Sequence, residues 1–184
     1  KLFKKINTNL AAAAEAEGVA MGVGSQRIFF TEPTAKSSFD LRHVAPTTLL
    51  FSNLGAVQLN EDMTLQHARA VVQILKADAL VLHLNPLQEA VQPGGDTNFF
   101  NLRKKIGEIV QGLEVPVIVK EVGAGISAAD AELLIKAGVK TIDVAGTGGT
   151  SWSRIEGERS DDPSLGELFQ DWGIPTPEAL RALA

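Results

Sequence analysis

The 184-residue sequence contains no cysteine, which excludes disulfide bonds and thiolate chemistry and permits a reducing compartment. It has no apolar run long enough to span a membrane and no recognisable secretory signal. Positive charge is in deficit, and the formal net charge of −5 argues against a surface that binds nucleic acid. These absences predict a cytoplasmic protein that binds neither membranes nor nucleic acid.

What is present is typical of a globular protein, with 45% hydrophobic and 21% charged residues. The length suits one domain with a sizeable core, and no linker divides the chain, so we predict a single domain over residues 1–184. Short β-rich apolar runs alternate with helical patterns along the sequence. That alternation is typical of βαβ units and a parallel sheet.

The hydrophobic patterns define the expected elements. Five strands are predicted, at Val19–Val23, Thr48–Ser52, Ala79–Leu84, Pro116–Lys120 and Thr141–Val144. Helices are predicted over Leu2–Gly18, Thr64–Lys76, Thr97–Gln111, Ser127–Lys136 and from a cap at Thr176 onward. The other segments are expected to be loops: Phe30–Pro46 with at most a short helix, Asn85–Glu89, and the polar stretch from Gly146 to Thr176. Five β/α units cannot close an eight-stranded barrel, so the alternatives are an open doubly wound sheet or a barrel with strands missing.

Every unusual polar cluster lies at the carboxyl end of a predicted strand. These clusters are Ser25–Arg27, Asn53, His83–Glu89, Lys120 and Thr147–Trp152. In parallel β/α proteins the functional loops follow the carboxyl ends of the strands. The placement therefore predicts one functional site at that edge of the sheet.

Taken singly, the residues of these clusters leave two interpretations open. Lys120 is either a charge where a strand meets solvent or a cation beside a cofactor that becomes anionic. Glu89 is either a solvated loop residue or a Mg²⁺ ligand that acts together with substrate phosphates. His83 is a core histidine or a donor to a ligand, and Arg27 solvates a loop or binds phosphate. Trp152 packs under a loop or forms an apolar wall.

Read together, the strings resemble those of the FMN-dependent type 2 isopentenyl-diphosphate isomerases. The similar segments cover nearly the whole chain in order, and they are Met21–Arg27, Ser52–Ala56, Leu82–Asn98, Val119–Gly123 and Val144–Glu156. The strings HLNPLQE and GGTSW are the most specific of these. The resemblance implies a (β/α)8 TIM barrel, of which the chain holds about five central β/α units, roughly strands 2–6, with the N- and C-terminal strands missing.

The resemblance also implies an activity, its cofactors and its partners. The reaction is the interconversion of isopentenyl and dimethylallyl diphosphate in isoprenoid biosynthesis, by proton addition and elimination assisted by reduced FMN. Mg²⁺ is the implied metal, and NAD(P)H is the implied reductant of the flavin. A homotetramer or a higher homo-oligomer is the implied assembly.

The roles that the resemblance implies fall on named positions. FMN contacts are expected at Ser25, Asn53, Lys120 and Thr150. Substrate contacts are expected at Ser25, Gln26, Arg27, His83, Asn85 and Gln88. The expected catalytic residues are Gln88, Trp152 and Glu156, and the expected metal ligand is Glu89.

Two other functions stay open. One is another FMN-dependent TIM-barrel oxidoreductase, such as a hydroxyacid oxidase or dehydrogenase, which would need a catalytic histidine, and His83 is the candidate. The other is a non-catalytic barrel fragment that binds phosphates or partner subunits. We expect residues 1–184 alone to fold poorly and to lack flavin, because the absent strands would leave sheet edges open and would carry the FMN phosphate site.

Overall fold

The computed structural model describes residues 2–184, and Lys1 of the predicted domain lies outside the described residues. Its centre is a five-stranded parallel sheet that curls into a half-barrel. The strands are β1 (Met21–Gly22), β2 (Leu50–Gly55), β3 (Ala79–His83), β4 (Val117–Lys120) and β5 (Thr141–Asp143). Their order in the sheet equals their order in the chain. A doubly wound sheet reverses its strand order at a switch point, and no reversal occurs among these five strands.

Helices alternate with the strands. They are α1 (Leu2–Glu17), α2 (Ile28–Thr31), α3 (Leu65–Leu75), α4 (Pro86–Val91), α5 (Leu102–Gly112), α6 (Ala128–Lys136), α7 (Trp152–Arg159), α8 (Ser164–Leu168) and α9 (Thr176–Leu183). Two short 3₁₀ segments cover Pro33–Ser38 and Ala56–Asn60. Among residues 2–184, no helix combines the length and the apolar character that a membrane crossing requires.

The core lies between the sheet and the longer helices. Leu80 and Leu82 of β3 and Val119 of β4 are fully buried, as continuous apolar strands covered by helices should be. The apolar stripe of α3 packs against β2, and the stripe of α5 lies next to it. Ser127 caps α6 as predicted, because its Oγ accepts the Asp130 N–H at 3.1 Å.

The strand register brings the polar strand ends to one edge. Gly55 of β2 lies opposite His83 of β3, and His83 lies opposite Lys120 of β4. Asn53 of β2 pairs with Val81, two residues before His83. The carboxyl ends of three neighbouring strands therefore meet, as the sequence predicted.

Several predicted boundaries are wrong. Strand β1 is two residues long because it is the sheet's edge and has a single neighbour, and β2 begins two residues later than predicted. Most of the predicted loop Asn85–Glu89 belongs to α4 (Pro86–Val91), which starts with Pro86 at a position that suits proline. Helix α5 begins at Leu102, since Asn101 has a left-handed backbone with φ of 55°. The polar stretch before α9 contains α7 and α8.

Candidate active site

A cleft of about 490 Å³ opens at the carboxyl edge of the sheet. It is lined by residues from all five strand ends and by the first residue of α7. Seven of the predicted site residues line it, namely Ser25, Asn53, His83, Gln88, Lys120, Thr150 and Trp152. The structure thus brings together side chains separated by more than a hundred positions in the sequence.

Lys120 is the one cationic side chain among the described residues that line this cleft, and no described lining residue is acidic. Its ammonium donates a hydrogen bond of 2.6 Å to the main-chain oxygen of Glu121, which fixes its position without neutralising it. A half-buried cation without a carboxylate partner favours an anionic ligand, because its charge is only partly screened. The cleft is therefore suited to an anionic cofactor or substrate.

His83 is neutral and has a defined tautomer. Its Nδ1 lies 2.7 Å from Asn53 Oδ1, which can only accept, so Nδ1 carries the proton and Nε2 keeps a lone pair. Burial, and to a smaller extent the charge of Lys120, lowers the pKa of His83 from 6.5 to about 4. His83 is therefore a hydrogen-bonding group and a weak base at neutral pH.

This shift predicts a pH dependence of stability. Between pH 6.5 and about 4 the unfolded chain binds a proton at His83 that the folded protein does not bind. The free energy of unfolding should therefore fall as the pH falls through that window, by at most about 1.4 kcal/mol per pH unit from this group. Urea titrations at several pH values give the free energy of unfolding at each pH. In His83→Asn this free energy should fall less steeply with falling pH than in the wild type. The exposed His43 supplies the control substitution, and an unchanged slope in His83→Asn would contradict the assignment.

A second cavity of about 350 Å³ adjoins the cleft. Both tryptophans of the chain, Trp152 and Trp172, line it. Gly123, Gly149 and Thr150 line both cavities and so form part of the wall between them. Trp152 is 40% exposed and does not pack under the loop. Trp152 lines both cavities, so it offers an apolar surface to each of them.

Gln88 is held by hydrogen bonds at both ends of its amide. Its Nε2 donates to Glu156 Oε1 at 2.8 Å, and its Oε1 accepts from Asn85 Nδ2 at 3.2 Å. Glu156 is 2% exposed, and its other oxygen pairs with Arg159 at 3.3 Å. These hydrogen bonds therefore fix the amide of Gln88, a residue that lines both cavities. Glu156 does not line either cavity among the described residues, and its contact with a lining residue is the hydrogen bond from Gln88.

Glu89 lies on α4 and is nearly buried, in contrast to the solvated loop residue of the simpler interpretation. Its Oε1 accepts from Asn85 Nδ2 and its Oε2 from the Asp96 N–H, both at 2.8 Å. Each carboxylate oxygen keeps a second lone pair, and the buried Asn85 Oδ1 has no partner within residues 2–184. Residues 2–184 contain no cluster of three ligating side chains. Oxygen donors of this kind fit Mg²⁺ when phosphate oxygens and water complete the shell.

The predicted substrate contacts at Gln26 and Arg27 lie in different surroundings. Gln26 is fully buried, its Oε1 accepts the Asn53 N–H at 3.0 Å, and its Nε2 reaches Val71 O at 3.5 Å. This side chain joins β2 to α3 inside the fold and does not line the cleft, and its predicted contact with the substrate stays a prediction. Arg27 is exposed and pairs with Asp96 at 2.9 Å, and neither Arg27 nor the buried Asn85 lines the cleft.

Three structural residues of the site were missed. Asp96 joins Arg27 to Gln58, whose Nε2 donates to it at 3.1 Å, and its N–H holds Glu89. Glu121 organises the loop after β4, and Gly146 lets a neighbouring segment approach closely. The string Gly94-Gly95-Asp96 indicates a turn that includes Asp96. The hydrogen-bond partners of these three residues cannot be predicted from the local sequence.

Comparison with known proteins gives relatives that share a name. No protein-family model matches the chain. Curated relatives from Paracoccus zeaxanthinifaciens and a Synechococcus strain are 56% and 55% identical over 181 residues, 97% of this chain, and both are named isopentenyl-diphosphate delta-isomerase. A Nostoc relative with the same name is 51% identical. The chain is similar to isopentenyl-diphosphate delta-isomerases. It spans about half the length of these relatives, 52% in each case.

These names correct one prediction. The sequence motifs predicted the type 2 subclass, whereas the relatives are named isopentenyl-diphosphate delta-isomerase without a type. The chain is therefore similar to isopentenyl-diphosphate delta-isomerases and belongs to no stated subclass.

Two solved structures support the fold alone. The carboxyl transferase domain of Rhizobium etli pyruvate carboxylase matches 98% of this chain and 32% of its own, with a TM-score of 0.53 and 14% identity. A mandelate oxidase mutant with an FMN adduct matches 98% of this chain and 54% of its own, with a TM-score of 0.50 and 16% identity. Both are TIM-barrel proteins, which agrees with the half-barrel observed here.

Proposed function

We propose that the complete protein interconverts isopentenyl and dimethylallyl diphosphate with the help of reduced FMN and Mg²⁺. The observation that carries the proposal is the uncompensated Lys120 in a cleft at the carboxyl ends of the strands. The names of the relatives supply the reaction. We include in the proposal a complete (β/α)8 barrel, supported by the unreversed parallel strand order.

The cleft residues are of the kinds that hold FMN. Ser25, Asn53 and Thr150 offer hydroxyl and amide groups for the heteroatoms of a flat ring, and Lys120 offers positive charge. At Gly149 nothing lies within 4 Å of the position that a Cβ atom would take. A flat ring could therefore approach this part of the wall closely. When bound and reduced, FMN would supply an electron-rich ring with an acid/base nitrogen for a redox-neutral proton shift. NAD(P)H would serve only to reduce it.

The other residues would bind and orient the substrate. Arg27 and a Mg²⁺ ion on Glu89 would neutralise the diphosphate. The two residues lie near each other, because Asp96 pairs with Arg27 through its carboxylate and donates its N–H to Glu89. Glu156 accepts a hydrogen bond from the amide of Gln88 and so fixes that amide. The amide would then lie near the reacting carbons. Trp152 would present its indole face to the developing positive charge and exclude water. A homotetramer, which the resemblance implies, stays a prediction.

The oxidoreductase alternative needs a strong base near the cofactor. His83 is the one histidine among the described residues that line the cleft, and its pKa of about 4 makes it a poor proton acceptor at neutral pH. His83 is therefore better suited to hydrogen bonding than to the role of that base.

The stoichiometry of NADPH tests the proposal. The complete protein should be incubated anaerobically with FMN, Mg²⁺, isopentenyl diphosphate and a small amount of NADPH. We expect many molecules of dimethylallyl diphosphate for each NADPH consumed. Product formed one-for-one with NADPH, or an oxidised product, would favour an oxidoreductase and overturn the proposal.

Replacing Glu89 by glutamine tests the metal assignment. The amide keeps an acceptor for Asn85 but loses the charge that attracts Mg²⁺. We expect the Mg²⁺ concentration for half-maximal activity to rise roughly ten- to a hundredfold, the worth of one charged interaction. The control is Glu108→Gln on the exposed face of α5. A magnesium titration in Glu89→Gln that matches the control would refute the role.

A further inference from the structure

The loop that follows β4 is wrapped around a single buried carboxylate. Glu121 is 3% exposed, and its Oε2 accepts four main-chain N–H groups in a row. The donors are Val122 at 2.6 Å, Gly123 at 2.7 Å, Ala124 at 2.5 Å and Gly125 at 3.2 Å. Consecutive N–H groups that converge on one point form a nest, which is an anion-binding arrangement. Here the anion belongs to the chain itself.

The carboxylate is the main partner of this loop. Within the described chain, the N–H groups of Val122, Gly123 and Ala124 have no main-chain acceptor. Gly123 and Gly125 adopt φ angles of 138° and 85°, which turn the N–H groups toward the same point and which other residues rarely adopt. These residues are partly buried, and an N–H group shielded from water without an acceptor is costly, so the loop depends on Glu121 for its shape.

The same loop fixes parts of the cleft. The main-chain oxygen of Glu121 accepts from the Lys120 ammonium. A side chain at Gly123 would come within 3.0 Å of the Thr150 oxygen, so the loop lies directly against the glycine-rich wall. Ala124 O accepts from the N–H of Ile174 at 2.9 Å, which attaches the segment that carries Trp172. Glu121 lines the second cavity but not the cleft, so apart from its charge it affects the cleft through the neighbours that it holds.

We propose that Glu121 is a positioning residue that holds the Lys120 ammonium and the wall between the two cavities in their places. The effect on flavin rests on the proposed function, while the effect on the loop does not. The other oxygen of Glu121, Oε1, is buried without a partner in residues 2–184. A glutamine could therefore place its oxygen on the nest and its NH₂ group where Oε1 lies, which changes the charge and keeps the shape.

The loop is tested first, by amide hydrogen exchange of the complete protein without cofactor. In the wild type the amides of Val122, Gly123 and Ala124 should be protected. In Glu121→Gln they should exchange about tenfold faster or more, because a charge-assisted hydrogen bond becomes a neutral one. The exposed Glu114→Gln, at the other end of β4, is the control. Unprotected amides in the wild type, or equal exchange in Glu121→Gln, overturn the proposal.

The second readout is the midpoint potential of bound FMN. If Lys120 loses its position, the reduced anionic flavin is stabilised less, and the potential should fall by about 30 mV, a tenfold change for two electrons. Removal of a negative charge without displacement of Lys120 would raise the potential, so an increase overturns the proposal. If Glu121→Gln does not fold, Gly123→Ala distorts the same loop and should give the same fall. Absence of any flavin binding would instead refute the proposed function, and amide exchange would still decide the role of Glu121.

Discussion

Replacement of Lys120 by methionine is expected to weaken FMN binding by roughly ten- to a hundredfold, with a larger loss for reduced than for oxidised flavin. Methionine keeps most of the length of the side chain and removes the only positive charge among the described residues that line the cleft. The reduced ring is anionic and gains more from that charge than the oxidised ring does. Titration of the complete protein with flavin in both redox states measures the two affinities.

The same variant has an internal check. The charge of Lys120 contributes to the lowered pKa of His83, so that pKa should rise in Lys120→Met. The control is Lys140→Met, which removes the same charge from an exposed position before β5. Normal affinity for both forms of flavin in Lys120→Met would show that Lys120 is only a charge at a strand end.

Replacement of Gly146 by alanine is expected to lower the free energy of unfolding by about 3 kcal/mol, the upper part of the range for overpacking. A methyl group at this position would collide with the main-chain oxygen of Ile174 and would come within 2.7 Å of the Thr176 nitrogen. Both obstacles are backbone atoms held by hydrogen bonds to Thr147, so neither can move cheaply. Urea denaturation measures the change.

The neighbouring Gly149 provides the matched control for this substitution. It lies in the same loop, and nothing lies within 4 Å of the position that its methyl group would take. Gly149→Ala should therefore change the free energy of unfolding by less than about 1 kcal/mol. Equal destabilisation by both substitutions would mean that loop flexibility, and not close backbone packing, explains the glycine at position 146.

The elements that the sequence predicted well have a strong periodic signal. Helix α3 repeats apolar residues at helical spacing: of the face predicted at Leu65, Ala68, Val72 and Leu75, Ala68 and Leu75 are buried and the other two are partly buried. Strands β3 and β4 are short apolar runs buried between helices. Helices α7 and α8 were missed because tertiary contact stabilises them: Gly157 and Gly166 allow their backbones to touch, and hydropathy does not report such a contact.

The site was predictable where it depends on topology and unpredictable where it depends on individual hydrogen bonds. That Asn53, His83 and Lys120 meet follows from parallel strands ending at one edge. That Gln26 turns inward follows from its bond to the Asn53 N–H, and the sequence gives no sign of it. The nest around Glu121 depends on two left-handed glycines, whose φ angles no pattern of residue types specifies.

The most direct test of the proposed reaction is the fate of solvent deuterium. The complete protein, with reduced FMN and Mg²⁺, should be given isopentenyl diphosphate in D₂O, and the dimethylallyl diphosphate should be analysed by mass spectrometry and NMR. Protonation of the terminal CH₂ carbon by a group that exchanges with solvent predicts deuterium in a product methyl group, without net oxidation of the substrate. Absence of product, a product without deuterium, or an oxidised product would contradict the account.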